Sequence, residues 1–158
     1  MNIFYLNNDP KLCAQDHCDK HVVKMILEYA QLMSTCHREY GVDDDVLYRS
    51  THKNHPSAIW VRESAHHYDW LHNLWTELNL EYIDRYQKIH ASWERLNDVL
   101  SNAPDGMPLT SFVDPPQCMP DEFKCPSAID GYRSYYIGAK AGFATWKTSP
   151  PSWWQRKD

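Results

Sequence analysis

The chain has 158 residues, enough for a single domain over residues 1–158 with a substantial core. Its 21 acidic and 16 basic residues give a net charge of -5, which argues against a broad electrostatic footprint for duplex nucleic acid but permits a local basic patch. No apolar run approaches the ~18 residues that span a bilayer, and no basic segment precedes an apolar run near Met1, so we expect no membrane partner, no secretory signal and a cytoplasmic location.

The first predicted elements are an apolar segment and a long helix. Asn2–Leu6 is either a short strand or an extended arm packed on the core. The helix then begins where Asp9 can act as the cap and Pro10 suits the first helical position. Its main body is Leu12–Thr35, about six turns, and the pattern continues to about Glu39.

One narrow stripe of this helix is polar. His17, His21, Lys24 and Glu28 fall at i, i+4, i+7 and i+11, which at roughly 100° per residue places them within an arc of about 60°. Because apolar residues border the stripe, we predict a partly buried line of titratable groups, which is costly unless paired and often marks a site. Such a site would face a concave pocket between the second helix and the C-terminal aromatic helix. The alternative is an ordinary amphipathic helix with its polar edge in water.

The next elements are a polar loop and a second long helix. The loop, Tyr48–Pro56, contains Arg49, His52 and His55, and its proline opens a helix predicted to end at about Tyr86. Apolar residues recur along this helix at helical spacing, and its tryptophans are predicted to lie in the core.

The C-terminal third is predicted to contain little regular structure before a third helix. Ala91–Leu100 forms a short helix, and Ser101–Pro126 is a connector with six prolines, long enough to be functional or to wrap the surface. Ser127 caps the third helix, which runs to about Trp146. Its aromatic and basic residues, in a chain that is 13% aromatic, either build the core or stack on planar ligands: Tyr132, Arg133, Tyr135, Tyr136 and Lys140. The fold class is therefore all-α, a single compact domain of about three long helices with long irregular Pro-rich connections.

The polar stripe is compatible with two kinds of chemistry. His17 and His21 could bind one metal ion with His52 and His55 completing the ligand set, although an HxxxH pair alone has low specificity. Alternatively, Glu28 performs general acid–base work. Base excision needs such a carboxylate to stabilise positive charge on the sugar, and it often uses an amine nucleophile.

Three motifs in this order resemble a known family. His21 and Glu28 are seven residues apart on the first helix, Tyr48-Arg49 and Asn54-His55-Pro56 precede the second, and Tyr132–Lys140 is an aromatic and basic segment. The chain thereby resembles the pyrimidine-dimer DNA glycosylase (phage endonuclease V-like) superfamily. It is also similar to small bacteriophage proteins that share HCDKHVVKMILE, THKNHP and a final PxWW.

The resemblance implies an N-glycosylase or related hydrolase, with a lyase step, that acts on a base in nucleic acid or in a nucleotide. Glu28 would be the catalytic carboxylate, with His21 and Lys24 beside it. The family nucleophile is the α-amine of a threonine exposed by methionine removal. Here Asn2 is bulky, so Met1 is expected to be retained, and either Met1 supplies the amine or the lyase step is absent. No metal or cofactor is implied, and a phage-encoded protein would act in the host cytoplasm.

The remaining predicted site residues would bind the substrate: His17, Arg49, His52, His55, Tyr132, Arg133, Tyr135, Tyr136 and Lys140. The chain also departs from the family, because Leu27 and Tyr29 flank Glu28 where the family has arginines, and because the chain is acidic. The substrate therefore stays open between damaged duplex, single strand, nucleotide and modified base. Two other functions remain, a metal-dependent hydrolase with a histidine cluster and a non-catalytic phage binding or inhibitory protein. The sequence does not indicate an oligomeric state.

Overall fold

Helices whose ends are capped by local side chains make up the fold. A computed structural model describes residues 1–154 of the chain, and within that range the regular elements are helical, with no strand. Asp9 accepts from the backbone N–H of Lys11 at 2.8 Å and Pro10 is the first helical residue, as predicted. The described part contains six α-helices: α1 Pro10–Asp16, α2 Asp19–Glu39, α3 Pro56–Glu63, α4 Ala65–Tyr86, α5 Ala91–Leu96 and α6 Ala128–Tyr135.

The predicted first helix is divided at its start. His17 and Cys18 have extended ψ angles of 129° and 160°, so α1 ends before them and α2 begins after them. The break is stabilised by Arg85 of α4, which donates to the carbonyl oxygens of Gln15 and His17 that a continuous helix would have used. His17 therefore does not share a helix with His21, and the predicted arc of four residues does not exist as one stripe.

The predicted second and third helices also divide. Ser64 has an extended backbone (φ -154°, ψ 139°), and its hydroxyl caps α4 by accepting from His66 N–H, so α3 and α4 are separate. The helix capped by Ser127 becomes α6, which passes into a π-helical turn at Tyr136–Lys140 and stops there, short of Trp146. Only α2 and α4, with 21 and 22 residues, are long helices in the described range, where about three were predicted.

The proline-rich connector wraps the surface, which was one of the two roles predicted for it. It contains a single 3₁₀ turn, Asp121–Phe123. Trp60 Nε1 donates to the carbonyl of Val113 at 2.9 Å, and Tyr132 Oη donates to that of Pro116 at 2.6 Å. These bonds from buried side chains satisfy backbone groups of the connector and fix its path.

The core is aromatic, and the N-terminal segment belongs to it. Asn2–Leu6 is an extended arm rather than a strand, with Ile3–Leu6 buried. Large side chains without accessible surface belong to the same core, among them Tyr29, Tyr68, Trp75, Tyr132 and Tyr136. None of the helices in residues 1–154 is long and apolar enough to cross a membrane.

Candidate active site

The N-terminal arm is fixed to α2 by a chain of buried hydrogen bonds. His17 Nδ1 lies 2.7 Å from the carbonyl oxygen of Cys13, which can only accept, so Nδ1 carries the proton. His17 Nε2 then accepts from the Tyr29 hydroxyl at 2.8 Å, and the Tyr29 oxygen accepts from Phe4 N–H at 3.1 Å. His17 has no accessible surface. Its predicted substrate contact is therefore not available in this conformation, and it supports the arm instead.

Tyr29 is expected to hold the arm against α2. Changing Tyr29 to Phe leaves the Phe4 N–H and His17 Nε2 without partners, so we expect the free energy of unfolding to fall by about 1–3 kcal/mol. Amide hydrogen exchange should also quicken at Phe4. The matched control is Tyr40→Phe, whose hydroxyl donates to the Arg62 carbonyl in a half-buried position that water can reach. Equal losses of stability in both variants would contradict the role given to Tyr29.

His21 is a neutral, buried imidazole beneath the same arm. Its ring stacks on Phe4 with centroids 4.2 Å apart, and its Nδ1 is hydrogen-bonded to the Tyr136 hydroxyl at 2.6 Å. Burial, together with the smaller effects of the nearby charges of His17, Lys140, Lys24 and Lys20, lowers the pKa of His21 to about 2. The predicted catalytic histidine is thus enclosed by aromatic rings and surrounded by three lysines.

The buried histidines predict a loss of stability in acid. Burial lowers the pKa of His17 to about 4 and that of His21 to about 2, from 6.5 in the unfolded chain. Below pH 6.5 the two histidines therefore bind protons in the unfolded state but not in the folded state, and the free energy of unfolding falls as the pH falls. We expect a loss of about 1.4 kcal/mol per pH unit for each histidine down to about pH 4.

Chemical denaturation at several pH values measures this loss. His17→Gln should flatten the dependence by about one proton, whereas replacing the exposed His66 with Gln should not change it. A stability that stays constant between pH 6.5 and pH 4 would contradict the burial of both imidazoles as neutral groups.

Glu28 carries a carboxylate oxygen that has neither solvent nor a hydrogen-bond donor. Its Oε2 is buried and finds no hydrogen-bond partner in the described part of the chain, and the same holds for Oδ1 of Asn2 in the arm. Lys24 Nζ is 3.8 Å from Oε2, with 63% of the Lys24 side chain exposed against 19% of that of Glu28. Burying a carboxylate oxygen without a hydrogen-bond donor is costly, and a residue that does so is a candidate for a functional role.

The chain amine is at the start of the arm, and its charge acts on the loop before α3. Burial lowers the pKa of His55 in that loop, and the charges of the Met1 amine and of His52 lower it further. Thr51 N–H donates to Thr35 Oγ1 at 3.2 Å and holds the loop on α2. Glu28 lies on α2 between Thr35 and His21, the residue on which Phe4 of the arm stacks.

The C-terminal aromatic segment divides into core and surface residues. Tyr132 and Tyr136 are buried, and Arg133 Nε donates to the Leu6 carbonyl at 2.9 Å, so these three pack the arm. Tyr135 and Lys140 are half-buried, with Lys140 Nζ 4.6 Å from the centre of the Tyr135 ring. Substrate contact is thus available to Tyr135 and Lys140, and also to Arg133, which is half-buried and lines a surface cleft.

A basic and aromatic surface lies next to His21, and only some of its residues were predicted from the sequence. Lys20 Nζ lies 4.5 Å from the centre of the Phe143 ring, and Lys140 Nζ lies 5.9 Å from the same ring. With Lys24 and Tyr135 these residues form what we call the lysine patch: Lys20, Lys24, Lys140, Tyr135 and Phe143. Lys20 could have been found from its position one turn before Lys24, and Phe143 was expected only as an aromatic residue of the C-terminal helix.

The other predicted site residues are placed as follows. Arg49 is exposed on the loop that contains His52 and His55. Four surface clefts of the described residues are lined by other segments than Glu28 and Met1. Within residues 1–154, no three His, Cys, Asp or Glu side chains are grouped so that they could hold one metal ion. The pocket expected in front of the stripe is replaced, at His17 and His21, by the packed arm.

Comparison with protein families matches residues 1–95 to the family described as pyrimidine dimer DNA glycosylase. The match covers more than half of the chain and includes the arm, α1 to α4, Glu28 and the loop with His55, whereas α6 and Lys140 lie outside it. No curated protein and no solved structure gives a significant match.

Proposed function

The chain belongs to the pyrimidine dimer DNA glycosylase family, and on that basis we propose that it is a DNA N-glycosylase of the endonuclease V-like type with Glu28 as its catalytic carboxylate. The observation that carries the proposal is the buried, unpartnered Oε2 of Glu28 within the matched residues. Family membership supports a glycosylase acting on nucleic acid. The residue roles below are our own assignment.

Glu28 acts on the charge that develops when the glycosidic bond breaks. The electron pair of the C1′–N bond leaves with the base, and the sugar becomes positively charged. A carboxylate with one oxygen already removed from solvent and from hydrogen-bond donors of the described residues stabilises that charge with little reorganisation. Lys24, at 3.8 Å, orients the carboxylate from the exposed side.

The Met1 amine is the nucleophile in this proposal. It attacks C1′ as the base departs, then loses a proton, and opening of the sugar ring gives an imine that β-elimination or water resolves. The His17–Tyr29–Phe4 hydrogen bonds and the stacking of His21 on Phe4 support it by fixing the arm that carries Met1. His21 is then a positioning residue, because it is neutral and already bonded to Tyr136.

The lysine patch is proposed to contact the DNA strand. Lys20, Lys24 and Lys140 offer three positive charges in an otherwise acidic protein, and Tyr135 and Phe143 offer rings for base stacking. Arg49, His52 and His55 extend the contact from the loop beside Met1. A small patch predicts affinity that falls with added salt, in a protein whose net charge repels DNA elsewhere.

Hydride trapping tests the proposal. The purified protein is incubated with an oligonucleotide duplex containing one cyclobutane pyrimidine dimer, with the same strand unpaired and with undamaged duplex, with borohydride present. We expect one base of the dimer to be released from its own sugar, although the cyclobutane ring still joins that base to its neighbour. We also expect a covalent protein–DNA adduct, because hydride reduces the imine to a stable amine. A version extended by Gly-Ser before Met1 should release base more slowly and give no adduct at the original amine.

The possible outcomes test the role of Met1 and the glycosylase function separately. Base release without an adduct would remove Met1 from the mechanism and leave Glu28 acting with water. Absence of base release from every substrate, with a folded protein, would overturn the proposed function.

A further inference from the structure

A cavity of about 110 Å³ lies between the end of α4 and α5. Its walls are mostly apolar, formed by Leu80 and Ile83 of α4, Ile89 of the connecting loop and Trp93 of α5. Three of these, Leu80, Ile83 and Ile89, are exposed at the surface and leave the cavity open on one side. Neither Glu28 nor Met1 lines it, so the cavity is separate from the candidate active site.

The floor of the cavity contains one hydrogen-bond acceptor without a donor. Asn79 is 4% exposed and its Nδ2 donates to the Trp75 carbonyl at 2.7 Å, which fixes the orientation of the side-chain amide. Oδ1, the other end of that amide, is buried and has no hydrogen-bond partner in residues 1–154. Such a group retains its full desolvation cost until a donor reaches it.

The two other polar residues of the cavity do not supply that donor. The hydroxyl of Thr76 donates its one proton to the His72 carbonyl at 2.9 Å. His90 Nδ1 accepts from Ser92 N–H at 3.1 Å, so its ring proton is on Nε2, and that proton makes no hydrogen bond to Asn79 Oδ1. Within the described residues the cavity therefore offers apolar walls and an acceptor without a donor.

We propose that this cavity binds a small aromatic molecule carrying one O–H or N–H donor. The ring would lie against Leu80, Ile83, Ile89 and Trp93, and the donor would bond to Asn79 Oδ1. Burying the ring removes apolar surface from water, and the donor completes the amide. The volume suits a single ring whose edge projects through the open side, as cavities slightly larger than this one are known to hold benzene.

Phenol is the probe, and toluene is its control because it has the same ring and no donor. Titration followed by amide chemical shifts should show phenol binding at Asn79, Ile83 and Trp93, about tenfold more tightly than toluene, as one neutral hydrogen bond gives. Asn79→Leu removes the acceptor at similar volume and should abolish the preference for phenol while toluene still binds. Ile89→Trp fills the cavity from an exposed loop position and should abolish both.

Several results would overturn the inference. These are equal binding of phenol and toluene, an undiminished phenol preference in Asn79→Leu, shifts that map elsewhere, or no shifts at millimolar phenol because the cavity holds water only. If Asn79→Leu does not fold, Ile89→Trp decides, since phenol binding that survives a filled cavity also contradicts the site. None of these outcomes depends on glycosylase activity.

Discussion

Replacing Glu28 with glutamine is expected to leave the fold intact and to lower base release by at least ~10²-fold, the loss typical of one well-placed electrostatic group. Glutamine has the volume of glutamate but no charge, so it stabilises a positive sugar poorly. The fold should persist because the only cation near Oε2 among the described residues, Lys24, is largely exposed and contributes little to stability. Single-turnover base release and thermal melting measure the two effects.

The matched control for this change is Glu39→Gln, at the exposed end of the same helix. It removes one negative charge from α2 without touching the arm, so its rate should equal that of the wild-type protein. A Glu28→Gln variant that releases base at the wild-type rate would remove Glu28 from the mechanism. A rate lost together with the melting transition would instead show that the carboxylate serves the fold.

Replacing Arg85 with methionine is expected to reduce the free energy of unfolding by about 3–5 kcal/mol, as in other proteins where one partner of a buried ion pair is removed. The Arg85 side chain has no accessible surface. It bonds to the Glu81 carboxylate at 2.8 Å, to Asp19 at 3.2 Å, and to the carbonyls of Gln15 and His17. Methionine fills a similar volume but leaves two carboxylates and two carbonyls without this donor.

Denaturant unfolding of Arg85→Met measures this loss. Arg85→Lys keeps the charge but not the planar guanidinium group, so its free energy of unfolding should lie between those of the wild-type protein and Arg85→Met. Lys88→Gln, at an exposed position two residues past α4, should leave the free energy of unfolding unchanged. A loss under 1 kcal/mol in Arg85→Met would contradict the view that this guanidinium holds the break between α1 and α2.

The sequence indicated local features that depend on neighbouring residues. Asp9 with Pro10 and Ser127 cap helices as predicted, and Trp60 and Trp75 lie in the core. The membership of the family was also recognised, from the spacing of short motifs. In these cases the cause lies within a few residues of the effect, so one segment is enough to predict it.

The features that were wrong depend on distant partners. Helical periodicity predicted that His17 lies beside His21 on one helix. The helix is instead broken between them, and the break is stabilised by Arg85, 68 positions after His17. The role of Tyr29 as a hydrogen-bond bridge was not predicted, because it depends on Phe4, 25 positions earlier. Periodicity reports which face is buried and not which segment covers it. The catalytic roles of Glu28 and Met1 stay predictions until activity is measured.

The contacts from the C-terminal segment delay completion of the candidate site during synthesis on the ribosome. Arg133 bonds to Leu6, and Tyr136 bonds to Cys18 and His21, across 115 to 127 positions. At ordinary translation rates the arm and α2 wait on the order of ten seconds for these partners. Their apolar surfaces are open to chaperones in that interval. A chain that stalls before Tyr136 emerges contains Met1, His21, Lys24 and Glu28 but lacks the packing that arranges them.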